Sequence, residues 1–181
     1  MFDRRLIPLL ALCALAAGCN SDSHTITDHG RISVRDNLVT LHVDDAPDAT
    51  IDQAGALSID DKAVAIDDHQ RDLLRRYYAN AAAIHEHGVA TGKAGAAMAG
   101  EALKGVAEST KGDPDSVRRR VEAQTQQITA QVMKICDDLA GIQTVQADLA
   151  AALPAFKPYA VIMDDKEVND CRNDSKTERK D

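Results

Sequence analysis

The apolar and polar residues of the chain follow two different periods, and the period changes near residue 67. Before that point, short stretches alternate with period 2, and turn pairs such as Asp36-Asn37 and Asp60-Asp61 separate them, which is typical of β-hairpins. The pattern predicts an antiparallel β-meander over residues 31–66, and such a small sheet needs a helix on one face. The predicted strands are 31–34, 38–43, 50–52, 56–59 and 62–66.

Beyond residue 67 the chain contains two proline-free runs of nearly equal length, 69–110 and 114–153. The break between them contains Asp113, a good N-cap, and Pro114, which suits a first helical turn. Equal arms about a short break predict an antiparallel helical hairpin over residues 67–153, about 60 Å long. The fold class is therefore α+β, with the meander packed on the hairpin.

The second arm carries a heptad-like apolar seam, in which positions recur with a 4-3-4-3 spacing and only Thr125 and Gln146 are polar. Ten positions in this spacing indicate a surface that packs on another helix. The seam consists of Val121, Thr125, Ile128, Val132, Ile135, Leu139, Ile142, Gln146, Leu149 and Leu153.

The first arm begins with bulky residues and continues with small ones. Gly88, Gly92, Gly95 and Ala99 are predicted to face the seam, so that the two helices approach closely. Because a glycine inside a helix costs up to ~1 kcal/mol, close packing would have to offset that cost. An alternative is that the segment from Gly88 to Gly95 breaks this arm into two shorter helices.

Residues 1–18 are predicted to form a lipoprotein signal peptide. Arg4 and Arg5 precede an apolar run that is too short to span a ~30 Å hydrocarbon core, and small residues lead into Cys19. We expect Cys19 to carry a lipid and to hold the protein on the periplasmic side of a bacterial membrane. Asn20 favours the outer membrane over the inner one. The alternative is an ordinary secretory signal that leaves Cys19 as a free thiol.

The composition narrows the range of functions. The formal net charge is −8, and removal of Asp3, Arg4 and Arg5 with the signal brings it near −9. A chain this acidic is a poor binder of nucleic acid. Aromatic residues make up 3 % of the chain, so a deep aromatic-lined pocket is not expected.

Two cysteines, Cys136 and Cys171, are left after the signal peptide and the lipid-bearing residue. An oxidising compartment favours a disulfide between them. The alternative is a buried Cys136 that packs as a small hydrophobic residue, with Cys171 in the tail.

The sequence contains no recognisable catalytic, metal-binding or cofactor-binding motif. His85 and His87 are two residues apart, so on a helix they point in different directions, and no zinc, calcium, phosphate-loop or dinucleotide pattern is present. The prediction is therefore no catalytic residue, no metal and no cofactor.

Short motifs resemble a known family. Residues 57–64 (LSIDDKAV) and residues 68–78 (DHQRDLLRRYY) are similar to segments of the YggN-type family of bacterial envelope proteins, and so is the stretch around Phe156 and Tyr159. The resemblance covers residues 30–160. It implies a periplasmic location and a domain of unknown function.

These observations predict a lipidated tether at residues 19–30, the meander, the hairpin, and a partly disordered C-terminal extension at residues 154–181. The leading functional hypothesis is a non-enzymatic scaffold that presents the hairpin to an envelope protein or to a second copy. The alternatives are a Gly/Ala-rich helix that interacts with the membrane, and a small-ligand carrier in which Tyr77 and Tyr78 line a cavity.

Overall fold

In a computed structural model of the chain, the described residues are 23–108 and 114–177. They form an antiparallel sheet, a long helical hairpin and a C-terminal helical segment, which confirms the α+β class. The predicted signal peptide, Cys19 and Asn20 lie outside the described residues, and so does the break between the two helical arms.

The sheet has six strands, and its spatial order is the same as the order along the chain. At Asp36-Asn37 and Asp60-Asp61 both residues have positive φ, which is the geometry of the tight hairpin turns that the sequence predicts. The strands are β1 Ser23–Thr27, β2 Gly30–Arg35, β3 Leu38–Val43, β4 Ala46–Asp52, β5 Leu57–Ile59 and β6 Lys62–Ala63.

Strand β1 corrects the prediction of a tether at residues 19–30. Its five residues pair with β2, from Ser23 opposite Val34 to Thr27 opposite Gly30. The pairing leaves only Thr25 and Thr27 half-buried, while Ile26 is exposed, so the apolar alternation that marks the other strands is missing. The domain therefore begins earlier than its apolar pattern suggests.

The helices are α1 Asp68–Glu108, α2 Pro114–Ala152 and α3 Asp165–Thr177, and a 3₁₀ helix, Pro154–Val161, precedes α3. Helix α1 runs without interruption through Gly88 and Gly95, so the alternative of a broken first arm is wrong. At its start, Asp67 Oδ1 accepts from the Gln70 backbone N–H at 2.8 Å, and Gln70 Oε1 accepts from Asp67 N–H at 3.0 Å. This reciprocal pair is a capping box that fixes the beginning of α1.

The hydrophobic core lies between one face of the sheet and the base of the hairpin. The sheet contributes Val39, Leu41 and Ile51, all fully buried, and α1 contributes Leu74 and Tyr77. Gln70 Nε2 donates to the Ala152 carbonyl at 2.7 Å and so joins the start of α1 to the end of α2. Near the start of α1, Gly55 (φ +79°) lies so close to the helix that an added Cβ would sit 2.6 Å from the Arg71 carbonyl oxygen.

The C-terminal extension was predicted to be partly disordered, but residues 154–161 and 165–177 are helical. Helix α3 is capped by Asp164, whose Oδ1 accepts from the backbone N–H of Lys166 at 2.6 Å and of Glu167 at 3.2 Å. Its buried residues are Val168 and Ser175, and the disulfide residue Cys171 lies between them on the same face. Few apolar residues are needed because α3 covers only the side of α2, and that is why its composition looks like that of a solvated tail.

The predicted close packing of the first arm's glycines is wrong. A Cβ built on Gly88, Gly92 or Gly95 would meet no atom within 4 Å, once the neighbouring backbone of the helix itself is set aside. Gly92 and Ala99 each follow a half-buried residue, Thr91 and Met98, by one position, and a turn of about 100° brings them to the solvent. Residue size alone did not reveal this rotation.

Replacing Gly88 and Gly92 with alanine should therefore stabilise the protein, by up to ~1 kcal/mol each, because both sites are open and alanine favours the helix. A thermal melt of each variant measures this gain. Gly141→Ala is the matched control, since its Cβ would lie 2.7 Å from the Asn80 side chain, and we expect no gain there. A lower melting temperature for Gly88→Ala and Gly92→Ala would contradict the open geometry.

Candidate interaction surfaces

The hairpin has a packed base and a long part that extends beyond it. Among the side chains that the structure describes, the last buried one of α1 is Ala81 and the first of α2 is Cys136. We call residues 82–108 and 114–135 the distal hairpin; none of its described side chains is fully buried. Because two helices alone cannot enclose a core, the part of α1 whose side chains are described, residues 82–100, offers an accessible surface about 28 Å long.

The predicted seam of α2 divides at the same point. In the base, Leu139, Ile142 and Leu149 are buried against α1 and the core. In the distal hairpin, by contrast, the seam residues reach only partial burial, and Thr125 is exposed. The half-buried members are Val121, Ile128, Val132 and Ile135.

A second apolar stripe lies on the outside of α1. Val89, Gly92, Ala96 and Ala99 are all exposed and recur with a 3-4-3 spacing, so they share one face of the helix. These are small side chains, which would allow another helix to come near. Two of the residues predicted to pack inside the hairpin, Gly92 and Ala99, thus belong to its outer surface.

Polar atoms are enclosed within the distal hairpin without a partner. The side-chain oxygens of Gln124 and Gln131 are both shielded from solvent, and no hydrogen bond reaches either of them among the described residues. Enclosed carbonyl oxygens without donors weaken a helix pair. Together with the incomplete burial, they mark the distal hairpin as weakly held on its own.

A contact between a histidine and a carboxylate marks the junction between the base and the distal hairpin. His87 Nε2 lies 3.6 Å from Asp138 Oδ2, and both side chains are about one-fifth exposed. Burial raises the pKa of Asp138, an effect that His87 opposes. In the described part of the chain, no three His, Cys, Asp or Glu side chains are grouped so that they could hold a metal ion.

The C-terminal helix is fixed to the hairpin at this junction. Cys136 of α2 and Cys171 of α3 form a disulfide, as predicted from the cysteine count, with Cα atoms 5.6 Å apart. Ser175 Oγ donates to Met133 Sδ at 3.1 Å one turn further on. Helix α3 therefore runs along α2 and supports the region where the distal hairpin begins.

A cleft of about 380 Å³ separates β1 from α3. Leu139 and Met163 form its apolar floor, β1 and the turn after it contribute residues 25–28, and α3 contributes the charged residues Lys166, Glu167 and Asp170. Lys166 Nζ lies 3.0 Å from Asp28 Oδ2, and this pairing raises the pKa of Lys166. The cleft is open, and its outer wall is mainly acidic.

The tyrosines that were proposed to line a ligand cavity lie in the hydrophobic core instead. Tyr77 is fully buried and packs edge-on against Phe156, with ring centroids 5.7 Å apart. Its hydroxyl has no hydrogen-bond partner among the described residues, and burial raises its pKa. Tyr78 is also buried, and neither tyrosine lines the cleft at β1. The geometry does not favour a ligand carrier built on these residues.

Sequence reasoning missed β1, α3 and the role of Gln146. Signals for them exist in the sequence. Asp28-His29-Gly30 is a turn sequence that follows Thr-Ile-Thr, and Val168, Cys171 and Ser175 recur at the spacing of one helix face.

In the searched part of the chain, residues 23–108 and 114–177, no helix is long and apolar enough to cross a membrane.

The fold and the exposed hairpin define a small α+β domain with extended helical surfaces. The family model described as "Protein of unknown function (DUF2884)" matches residues 25–133, which is more than half of the chain. The protein therefore belongs to this family. The matched segment begins within β1, in agreement with its place in the domain. No curated protein and no solved structure matches the chain.

Proposed function

We propose that the protein is a non-enzymatic module of the bacterial cell envelope, which presents its distal hairpin to a protein partner. The observation that carries this proposal is the absence of a fully buried described side chain between residues 82 and 135. A half-buried seam and an exposed apolar stripe are features that a third or fourth helix would complete.

The proposal includes a lipid on Cys19 that holds the domain on the periplasmic side, at the outer membrane. The sequence of residues 1–19 supports it, and so does the disulfide, which is typical of an oxidising compartment. Three residues separate Cys19 from β1, so the anchored domain would lie directly at the membrane surface. Labelling of cells with a radioactive fatty acid tests the anchor, because Cys19→Ala should abolish incorporation and Cys13→Ala should not.

Photo-crosslinking in living cells tests the partner. Probes at Ala96 and Gln126, both exposed on the distal hairpin, should give a discrete adduct whose second component is identified by mass spectrometry. Probes at Asp61 and Lys157, exposed on the base, are the matched controls and should give none of this adduct. An adduct of twice the monomer mass would instead identify a second copy as the partner. Equal labelling at all four sites would contradict a role of the distal hairpin.

A membrane-interacting hairpin is the second candidate, and charge distribution favours it. Residues 82–135, which are the distal hairpin together with the break between its helices, contain seven basic and six acidic residues, whereas the rest of the chain contains 14 basic and 23 acidic ones. The distal hairpin is thus the part least repelled by anionic lipids. A domain that begins at residue 20 should then float with vesicles of anionic lipid, and Ala96→Glu should prevent it. Absence of flotation at low salt would exclude this candidate.

A further inference from the structure

Strand β1 is an edge strand that lacks the usual protection. Among the described residues it pairs only with β2, so its outer side has no partner strand. The sequence of β1, SHTIT, contains no proline and no Lys, Arg, Asp or Glu. The opposite edge, β6, has only two residues and is shielded by Lys62, whose Nζ pairs with Asp60 at 2.6 Å. Edges without charge, proline or cover are the ones at which another strand can add.

The geometry of the hairpin turn indicates which backbone groups of β1 are available. Thr27 and Gly30 close a two-residue turn, and such a closing pair exchanges its backbone hydrogen bonds across the two strands. Alternation along the strand then directs the amide groups of His24 and Ile26 away from β2. The Ile26 side chain is 75 % exposed, although it belongs to a large apolar residue.

The cleft beside β1 offers room and a floor for an added strand. Its volume is about 380 Å³, and it lies between β1 and α3. A strand hydrogen-bonded to β1 would run about 4.8 Å from it. Alternate side chains of that strand would point toward Leu139 and Met163, which form the apolar floor.

The far wall of the cleft favours basic side chains on the added strand. Glu167 and Asp170 line this wall, and the one lysine beside them, Lys166, lies 3.0 Å from Asp28 and 3.8 Å from Asp170. A second copy of this chain would bring an equally acidic domain to the same place, so like charges would oppose pairing of two β1 strands. Charge complementarity therefore selects a basic segment over a second copy.

We propose that the outer edge of β1 and the cleft between β1 and α3 bind an extended segment of a partner protein, with alternating apolar and basic side chains, as a seventh strand. This mode of recognition is β-augmentation. The backbone of the partner pairs with His24 and Ile26, its apolar side chains contact Leu139 and Met163, and its basic side chains face Glu167 and Asp170. The inference rests on the proposed function as a protein-interaction module, and it adds a site outside the distal hairpin.

A peptide array tests this proposal with the full chain in detergent. Ten-residue peptides sample Val, Ile, Leu and Thr at alternate positions, and either Lys and Arg or Asp and Glu at the others. We expect the basic set to bind and the acidic set not to bind. Two versions of the best basic peptide then carry N-methyl groups on one or the other set of alternate amides. Because only one set of amides faces β1, methylation of that set should prevent binding and methylation of the other set should not.

Variants of β1 and α3 complete the test. Ile26→Pro removes an outward N–H and should weaken binding about tenfold, whereas Ile26→Thr keeps the N–H and should change it less than about twofold. Glu167→Gln with Asp170→Asn should weaken it about fivefold at low salt and little at high salt. If Ile26→Pro does not fold, the N-methyl peptides give the same information.

Three results would overturn the proposal: equal binding of basic and acidic peptides, insensitivity to backbone N-methylation, or concentration-dependent dimers that Ile26→Pro abolishes. The last would identify a second copy as the occupant. Loss of peptide binding with intact crosslinks at Ala96 would reject the β1 site and retain the proposed function. Absence of crosslinks at Ala96 with intact peptide binding would reject the proposed role of the distal hairpin and retain the β1 site.

Discussion

Removal of the disulfide should lower the free energy of unfolding by about 4 kcal/mol. Cys136→Ala with Cys171→Ala opens a loop that spans 35 residues, and the chain-entropy estimate for a loop of that size gives this value. Since the disulfide cross-links α3 to the side of α2, its loss should also expose α3. Urea unfolding monitored by circular dichroism measures the first effect, and amide hydrogen exchange in α3 measures the second.

Reduction of the native protein is the control for this double variant, because it removes the bond and leaves both side chains in place. The two forms should unfold at similar urea concentrations, and the small excess in the variant should reflect the cavity at Cys136, which is fully buried. An unchanged midpoint after verified reduction would show that contacts such as Ser175 with Met133 hold α3 without the disulfide.

The parts of the fold that the sequence predicted are those fixed by local chemistry. Asp36-Asn37 and Asp60-Asp61 adopt the positive φ angles that tight hairpins need, and few other residue types tolerate these angles. The two helices of the hairpin could be predicted from the positions of proline and from the spacing of apolar residues, because both are local signals within a few turns of a helix. Of the five strands expected in residues 31–66, one has the predicted bounds, two are longer and two are shorter, but their pairing is that of a meander.

The parts that the sequence did not predict depend on contacts between distant segments. Strand β1 is ordered by pairing with β2 rather than by its own apolar pattern, and α3 is held by a covalent bond to a residue 35 positions earlier. In the first arm, glycine and alanine occupy all faces of the helix, so composition cannot indicate which face turns toward α2. The edge strand and its cleft could be recognised only once β1 and α3 were placed side by side.

The two polar positions of the α2 seam have opposite environments, although they occupy the same heptad pattern. Thr125 is exposed, whereas Gln146 is 2 % exposed and makes three hydrogen bonds. Its Nε2 donates to the carbonyls of Ala160 at 2.6 Å and Met163 at 2.9 Å, and its Oε1 accepts from Met163 N–H at 3.2 Å. It therefore fixes the end of the 3₁₀ helix against α2.

Gln146→Leu should therefore destabilise the protein by about 3 kcal/mol, because it leaves the buried N–H and C=O of Met163 and the half-buried C=O of Ala160 without partners, at a cost of about 1–3 kcal/mol for each buried group. Thr125→Leu, the same kind of change in the same pattern, should alter stability by less than about 0.5 kcal/mol. Urea unfolding of both variants provides the comparison. If leucine at 146 were as neutral as leucine at 125, burial in a helix seam would outweigh the three hydrogen bonds, and the C-terminal segment would have to be held by the disulfide and by Phe156 and Tyr159 in the core.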